Sequence, residues 1–446
     1  MQGAGLLIIL LGAIAFIVFM TARIRLHPFL VLLLASLGVG LLAGLPANQV
    51  INAITGGFGS TLSGIGIVIA AGTIMGFIME KSGAAVVMAR SILKLVGETR
   101  SALAMAFTGG VVSIPVFCDS GFVILSPLNR TLAAQSNQSL SVFAIALSMG
   151  LYTTHVFVPP TPGPIAAAGT VGADLGTVIL VGLVVSIPTL LAGYFFAKYY
   201  GPKIHIDPAP EGGEASLQSH EKEYPSVLRS FAPIVVPVLL IALKSVADYP
   251  SAPFGSGSLS SFLSFVGNPN IALLIGVFLS FLTVPKITQE VLGDWVGKGL
   301  TDAGLIILIT GAGGALGQVI RETPIAAYLS SSLSALQVGI FVPFILAAAL
   351  KTAQGSSTVA IITTAGIISP LMPALGLASG LGPALTVMAI GAGSMTVSHA
   401  NDSYFWVVAQ FSDMKVEQAY RLQTLASLVT GIVGIIVVSL LYFIFV

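Results

Sequence analysis

The sequence predicts an all-α polytopic membrane protein, built as an inverted repeat with broken helices and re-entrant hairpins. Three observations predict it: charge is nearly absent, Gly and Pro crowd the apolar runs, and short motifs recur at a near-constant offset. Only 18 Lys and Arg and 17 Asp and Glu occur among 446 residues, while 55% are hydrophobic, far from the balance of a soluble chain. The 50 Gly and 24 Pro suit tightly packed and interrupted membrane helices better than simple apolar rods. Net charge of +1 argues against nucleic acid as a partner. The single cysteine, Cys118, leaves no intrachain disulfide and no multi-cysteine metal site, and no cofactor motif is found.

Taken in order, uncharged runs at Ala4 to Met20, Pro28 to Met79, Thr131 to Thr154 and Leu175 to Ala197 are each long enough to span about 30 Å of hydrocarbon. Counted along the whole chain, they predict roughly eleven to fourteen membrane segments. Gly5 to Met20 has no basic n-region and no small-residue cleavage site, and is expected to be a retained first helix. Lys and Arg collect in four places: Arg23 and Arg25; Lys81, Arg90, Lys94 and Arg100; Lys198, Lys203, Lys222 and Arg229; Lys286 and Lys298. The positive-inside rule puts all four in the cytoplasm. Leu45 to Ser60 and Asp248 to Asn268, free of Lys and Arg, are then expected outside, together with the N-terminus.

The longest polar segment, His205 to Arg229, is expected to be a cytoplasmic linker dividing a first repeat (1–204) from a second (230–446). Gly72-x-x-x-Gly76 recurs as Gly313-x-x-x-Gly317, Ser126-Pro127-Leu128 as Ser369-Pro370-Leu371, and a histidine site at His155 as His399, at offsets of 241, 243 and 244 residues. Each match is weak alone, but three in one order make a repeat. With the loops placed as above, equivalent segments run in opposite directions. Inverted repeats with interrupted helices are the architecture of secondary transporters, which bind substrate near the bilayer midplane. The glycine steps themselves read as close helix packing. Gly311-Ala312-Gly313-Gly314 lacks the strand and the Lys-Ser/Thr ending of a nucleotide loop.

Charges at membrane depth cost at least ~3 kcal/mol on insertion scales, so each needs a cavity, a partner or a task. From Thr323 to Ser412 the only charged side chains are Lys351 and Asp402, with His399 beside them; from Ser101 to Ala197 they are Asp119, Arg130 and Asp174, with His155. Asp119, between Pro115 and Gly121, is expected in a re-entrant or broken turn and is a candidate proton carrier; otherwise it is a structural partner of Arg130 or Lys351. Lys351-Thr352-Ala353-Gln354-Gly355-Ser356-Ser357-Thr358 is the most polar deep stretch of the second half. Lys351 can neutralise a carboxylate, and Gln354, Ser356 and Ser357 can replace water around hydroxyl groups. His155 precedes Val158-Pro159-Pro160-Thr161-Pro162-Gly163-Pro164, where four prolines cannot continue a helix; the segment lines a cavity or serves as a rigid surface connector. His399-Ala400-Asn401-Asp402-Ser403 stands before Tyr404-Phe405-Trp406, which can equally be an interfacial belt.

At these segments the chain resembles the gluconate permease (GntP) family. The resemblance is global in length and order. It rests on His27-Pro28-Phe29, Pro159-Pro160-x-Pro162-Gly163-Pro164, Gly355-Ser356-x-Thr358-Val359-Ala360, and His399-x-Asn401-Asp402 followed by Phe405-Trp406. It implies a proton symporter of the bacterial inner membrane carrying gluconate or a related sugar acid, with a D-serine branch. It also implies a fold akin to ion-coupled carriers in which a transport domain moves against a dimeric scaffold, and hence a homodimer. Two departures fall near the expected site: Thr161 stands where the family commonly has His, and Asp119-Ser120-Gly121 where it often has Glu-Val-Gly. They bring glycerate or a four-carbon acid such as threonate alongside gluconate.

The expected roles are therefore Lys351 for the carboxylate, Gln354, Ser356, Ser357, Thr161 and Asn401 for hydroxyls, and Asp119, His155, His399 or Asp402 for the proton. Sodium coupling, a D-serine-type amino-acid permease and, further off, an ion antiporter are the competing readings. An intramembrane enzyme fits least, since neither a HExxH zinc motif nor a Gly-x-Ser-x-Gly elbow is present.

Overall fold

Pro28 fixes the first helical turn of α2 (Pro28–Leu42), and the His27 side chain caps it by accepting the Phe29 amide at 3.3 Å, so the His-Pro-Phe motif is a helix start. The computed structural model describes residues 4–96, 100–208, 224–247, 254, 257–325 and 339–446. Among these the chain is helical throughout, with no strand. Before α2 lies α1 (Ala4–Phe19). After it come α3 (Ala47–Lys81), α4 (Ala84–Val96), α5 (Ser101–Val112), α6 (Cys118–Gln135), α7 (Leu140–Phe157), α8 (Pro162–Val171) and α9 (Leu175–Tyr200). The later elements are α10 (Val227–Ala247), α11 (Ser258–Val266), α12 (Pro269–Phe281), α13 (Val291–Glu322), α14 (Phe341–Gln354), α15 (Ser357–Ile368), α16 (Gly382–Met395), α17 (Ser403–Phe411) and α18 (Val416–Phe445).

Six of the described helices are long and apolar enough to cross a membrane, or seven if the pair α11 and α12, bent by 64°, is one span; six more are apolar but only 10–17 residues long. The expectation of roughly eleven to fourteen membrane segments does not separate full spans from shorter apolar helices, and only some of these helices have the length of a span. Several uncharged runs fold back on themselves. Thr131 to Thr154 crosses a turn between α6 and α7, where Asn137 takes a φ of +50°. Leu45 to Ser60, expected outside, is for the most part the start of α3. No proline interrupts Ala47–Lys81 and no charge precedes Glu80, so nothing stops the helix. At 1.5 Å per residue its 35 residues reach about 52 Å, well beyond the hydrocarbon thickness. The expected linker at 205–229 lies largely outside the described residues; of the expected outer segment from Asp248 to Asn268, residues 254 and 257–268 are described and hold α11.

The core is built around α7, every residue of which is buried, with α8 and α16 beside it. A helix apolar all round belongs at such a centre. Small residues bring backbones together: a Cβ on Gly150 would lie 2.0 Å from the Ala106 carbonyl of α5, and one on Gly393 of α16 would lie 2.2 Å from the Phe344 carbonyl of α14. Gly57 of α3 meets Gly314 of α13 in the same way, at 2.6 Å from its carbonyl oxygen. The order of elements over 101–200 returns over 341–445. α5 to α9 begin at Ser101, Cys118, Leu140, Pro162 and Leu175, and α14 to α18 at Phe341, Ser357, Gly382, Ser403 and Val416.

Candidate functional site

Four interruptions generate the site: 113–117 between α5 and α6, 158–161 between α7 and α8, 355–356 between α14 and α15, and 396–402 between α16 and α17. Each leaves amides and carbonyls without helical partners, and each is followed by a half-helix whose N-terminus carries partial positive charge. These ends meet in pairs. Ser403 at the start of α17 donates to Asp119 Oδ1 in the first turn of α6 at 3.3 Å. A Cβ on Gly163 in the first turn of α8 would lie 3.0 Å from the Ile361 side chain of α15.

The glycine step of α3 serves this arrangement. A Cβ on Gly72 would lie 2.8 Å from the Pro160 carbonyl and one on Gly76 2.2 Å from the Pro115 carbonyl. One helix thus seats both interruptions of the first half. Pro159-Pro160 is a cis peptide bond, and 158–171 is packed inside the protein, so the proline segment is an interior element and not a surface connector.

Lys351 lies in the last turn of α14 and is completely buried. Its Nζ is 2.6 Å from Asp402 Oδ2, donates to the Gly355 carbonyl, and stands 5.8 Å from the centre of the Tyr152 ring, a cation–π distance. Asp402 is almost as buried. It caps α17 by accepting the Tyr404 amide at 3.1 Å, and also accepts from the Ser398 hydroxyl at 2.5 Å. The sequence leaves Lys351 open to a ligand; the structure gives its charge a partner from within the chain. Gly355, at φ +92°, sits where a Cβ would be 2.0 Å from the Asn401 carbonyl, so the two interruptions of the second half touch through backbone.

The other expected residues surround this pair. His399 Nε2 and Asn401 Nδ2 both reach the Thr352 carbonyl, at 2.8 and 2.9 Å. Gln354 closes the 355–356 break on itself, donating to the Ser356 carbonyl at 2.6 Å and accepting the Ser356 amide at 3.1 Å. The Ser356 hydroxyl caps α15 through the Val359 amide at 3.3 Å, and Ser357 is the first residue of that helix. Thr161 donates to the Val158 carbonyl at 2.7 Å. His155 is buried, its ring 5.9 Å from that of Phe117, and its Nδ1 has no hydrogen-bond partner. Lys351, Gln354, Ser356, Ser357, His399, Asn401 and Asp402 form one cluster, with Asp119 joined through Ser403. Thr161 and His155 stand at the neighbouring proline break.

Asp119 bonds to neither Arg130 nor Lys351: Arg130 pairs with Asp413 at 2.6 Å and donates to the Phe411 carbonyl at 3.0 Å. Asp174 caps α9 by accepting from the amide and hydroxyl of Thr177 at 2.8 and 2.7 Å. Tyr404 and Phe405 are buried and do not form a belt at the membrane surface; Tyr404 donates to the Ser148 carbonyl at 3.0 Å and packs 5.2 Å from Tyr152. Tyr152 and Ser398 are the site neighbours that the sequence did not single out, since neutral residues raise no charge signal. Among the described residues no group of three or more His, Cys, Asp or Glu is arranged to hold a metal ion.

Broken half-helices meeting around a buried ion pair, inside a bundle of apolar helices, define a multi-pass membrane transporter. Residues 5–444 match the family described as GntP family permease, and the chain belongs to that family. An uncharacterized permease of Haemophilus influenzae is 38% identical over 90% of this chain and 84% of its own length. The gluconate permease of Pseudomonas aeruginosa is 32% identical over 98% of both chains, and the D-serine transporter DsdX of Escherichia coli K12 is 32% identical over 98% of both. The crystal structure of the Alcanivorax borkumensis YdaH transporter superposes with a TM-score of 0.66 at 14% identity, covering 94% of this chain and 99% of that one, a likeness of fold. Relatives that include an inner membrane permease of E. coli, with the apolar helices, make this a multi-pass inner-membrane protein.

Proposed function

We propose that the chain imports a small hydroxy-carboxylate, gluconate or a shorter sugar acid such as glycerate or threonate, by proton symport. The observation that carries this reading is the ion pair between Lys351 and Asp402. Lys351 is the only buried Lys or Arg among the described residues, so a substrate carboxylate at this depth must compete with Asp402 for it. Protonating Asp402 removes the competitor and frees the ammonium for the incoming anion. Proton and anion therefore bind together, which is the requirement of symport. The N-termini of α6, α8, α15 and α17 add favourable potential for an anion. The polar groups of Gln354, Ser356, Thr161 and Asn401, which bond to backbone in this state, exchange those partners for substrate hydroxyls, and the Ser357 hydroxyl adds another. The two runs of elements from α5 and from α14 are taken as inverted repeats, 1–204 and 230–446 about a linker, assembled as a homodimer.

A second reading has its own observation. Asp119 is paired with no Lys or Arg among the described residues and accepts only from the Ser403 hydroxyl and the Cys118 thiol. A carboxylate there beside a cation at Lys351 suits a zwitterion, and D-serine is the cargo in the name of one relative. Uptake of radiolabelled gluconate, glycerate, threonate and D-serine into proteoliposomes tests both. Accumulation of an acid driven by an imposed proton gradient is the expected result, D-serine accumulation establishes the second reading, and drive by a sodium gradient alone overturns proton coupling.

A further inference from the structure

Away from the ion pair, a cavity of about 470 Å³ opens where the start of α5, the start of α7 and the end of α9 come together. Two cations from distant parts of the sequence, Arg100 and Lys198, line it along with Ser101, Gln138, Tyr194 and Phe195, and no Asp or Glu lies among its described lining residues. Ser101 is 3% exposed, its hydroxyl makes no hydrogen bond with a described residue, and it begins α5, whose Arg100 N-cap provides no side-chain acceptor for the first amides. Helix N-termini with free amides favour phosphate groups. The apolar floor is formed by Leu103 and Val142, and Phe195, half-exposed at the same cavity, stacks at 6.2 Å on the exposed Tyr199. Aromatic rings of this kind mark the level of the lipid headgroups. Basic residues gather on the same side, which the positive-inside rule makes cytoplasmic.

We propose that this cavity holds the headgroup of an anionic phospholipid, with its phosphate between Arg100, Lys198 and the Ser101 end of α5, and its glycerol and first acyl carbons on the apolar floor. The chemistry recognised is a phosphate monoanion. The volume is several times that of inorganic phosphate, and its apolar floor at the bilayer surface commits the site to lipid. Basic groups at a membrane surface contribute about 1 kcal/mol each towards anionic lipid, or roughly five-fold in retention per charge.

Native mass spectrometry of the full-length protein, exchanged from detergent into phosphatidylglycerol, cardiolipin or phosphatidylcholine, reads the site. The wild type should retain an anionic lipid and little phosphatidylcholine. Arg100→Gln/Lys198→Gln should lose about 25-fold of that retention, while Arg100→Lys/Lys198→Arg keeps it and Lys203→Gln, a basic residue that does not line the cavity, changes nothing. Equal retention by the double glutamine variant overturns the proposal, as does binding of inorganic phosphate alone that displaces the lipid at millimolar concentration. Should the double variant not purify as a monodisperse species, the single Lys198→Gln variant carries the test, with a five-fold loss expected and no loss overturning it.

Discussion

Lys351 and Asp402 lie 51 positions apart in sequence and share one buried contact at 2.6 Å. Breaking a buried pair by removing one partner costs about 3–5 kcal/mol, because the other charge is stranded, whereas removing both is far less costly. Lys351→Ala and Asp402→Ala should therefore each lower the melting temperature in detergent and abolish carboxylate uptake. The double Lys351→Ala/Asp402→Ala variant should recover most of the lost stability and none of the transport. A double variant no more stable than the singles would show that the pair is not the source of the loss. Both residues were legible in the sequence as charges that lipid does not tolerate. Their partnership was not, because no local pattern ties the end of α14 to the cap of α17. The same limit hid Tyr152 and Ser398, and left Tyr404 and Phe405 open between the membrane surface and the interior: an aromatic triplet near a helix end looks alike whether it meets lipid or the protein interior.

Among the helices, proline and glycine stand at three of the four interruptions; 396–402 holds neither. Pro115, the prolines of 159–164 and Gly355 each stand at a break, as the loss of helical hydrogen bonds requires. The number of spans was not readable, because an uncharged run does not record where the chain doubles back, as between α6 and α7. The glycines allow a sharp comparison on one helix. Gly76→Ala puts a methyl 2.2 Å from the Pro115 carbonyl, whereas Gly66→Ala on the same α3 meets nothing within 4 Å. Gly76→Ala should cut uptake at least ten-fold, and Gly66→Ala should leave it within two-fold, a difference read directly in proteoliposomes on the scale of core overpacking, about 1–3 kcal/mol. Gly355→Ala combines a positive φ with a clash at the Asn401 carbonyl and should lower both the yield of folded protein and uptake. Normal yield and uptake would mean that the contact between the two breaks is dispensable.

Across the whole molecule, the starts of α14 to α18 follow those of α5 to α9 at offsets of 239 to 242 residues, close to the 241 to 244 of the recurring motifs. What sequence could not supply was which parts touch. α3 carries a glycine step that looked like ordinary packing, yet it braces two interruptions at once.

The buried ion pair also bears on bioenergetics. In the proposed symport cycle, the pair of charged Lys351 and ionised Asp402 has no net charge when empty, and a proton on Asp402 together with a monovalent acid on Lys351 leaves that unchanged. Net transport of one proton with one monovalent anion then gains nothing from the membrane field, which otherwise contributes ~2.3 kcal/mol per charge per 100 mV. Such a carrier concentrates its cargo to the extent of the pH difference and ignores the electrical potential. Proteoliposomes given a potassium diffusion potential at equal pH should therefore show no accumulation of a monocarboxylate, while a one-unit pH step should drive about ten-fold accumulation at one proton per anion.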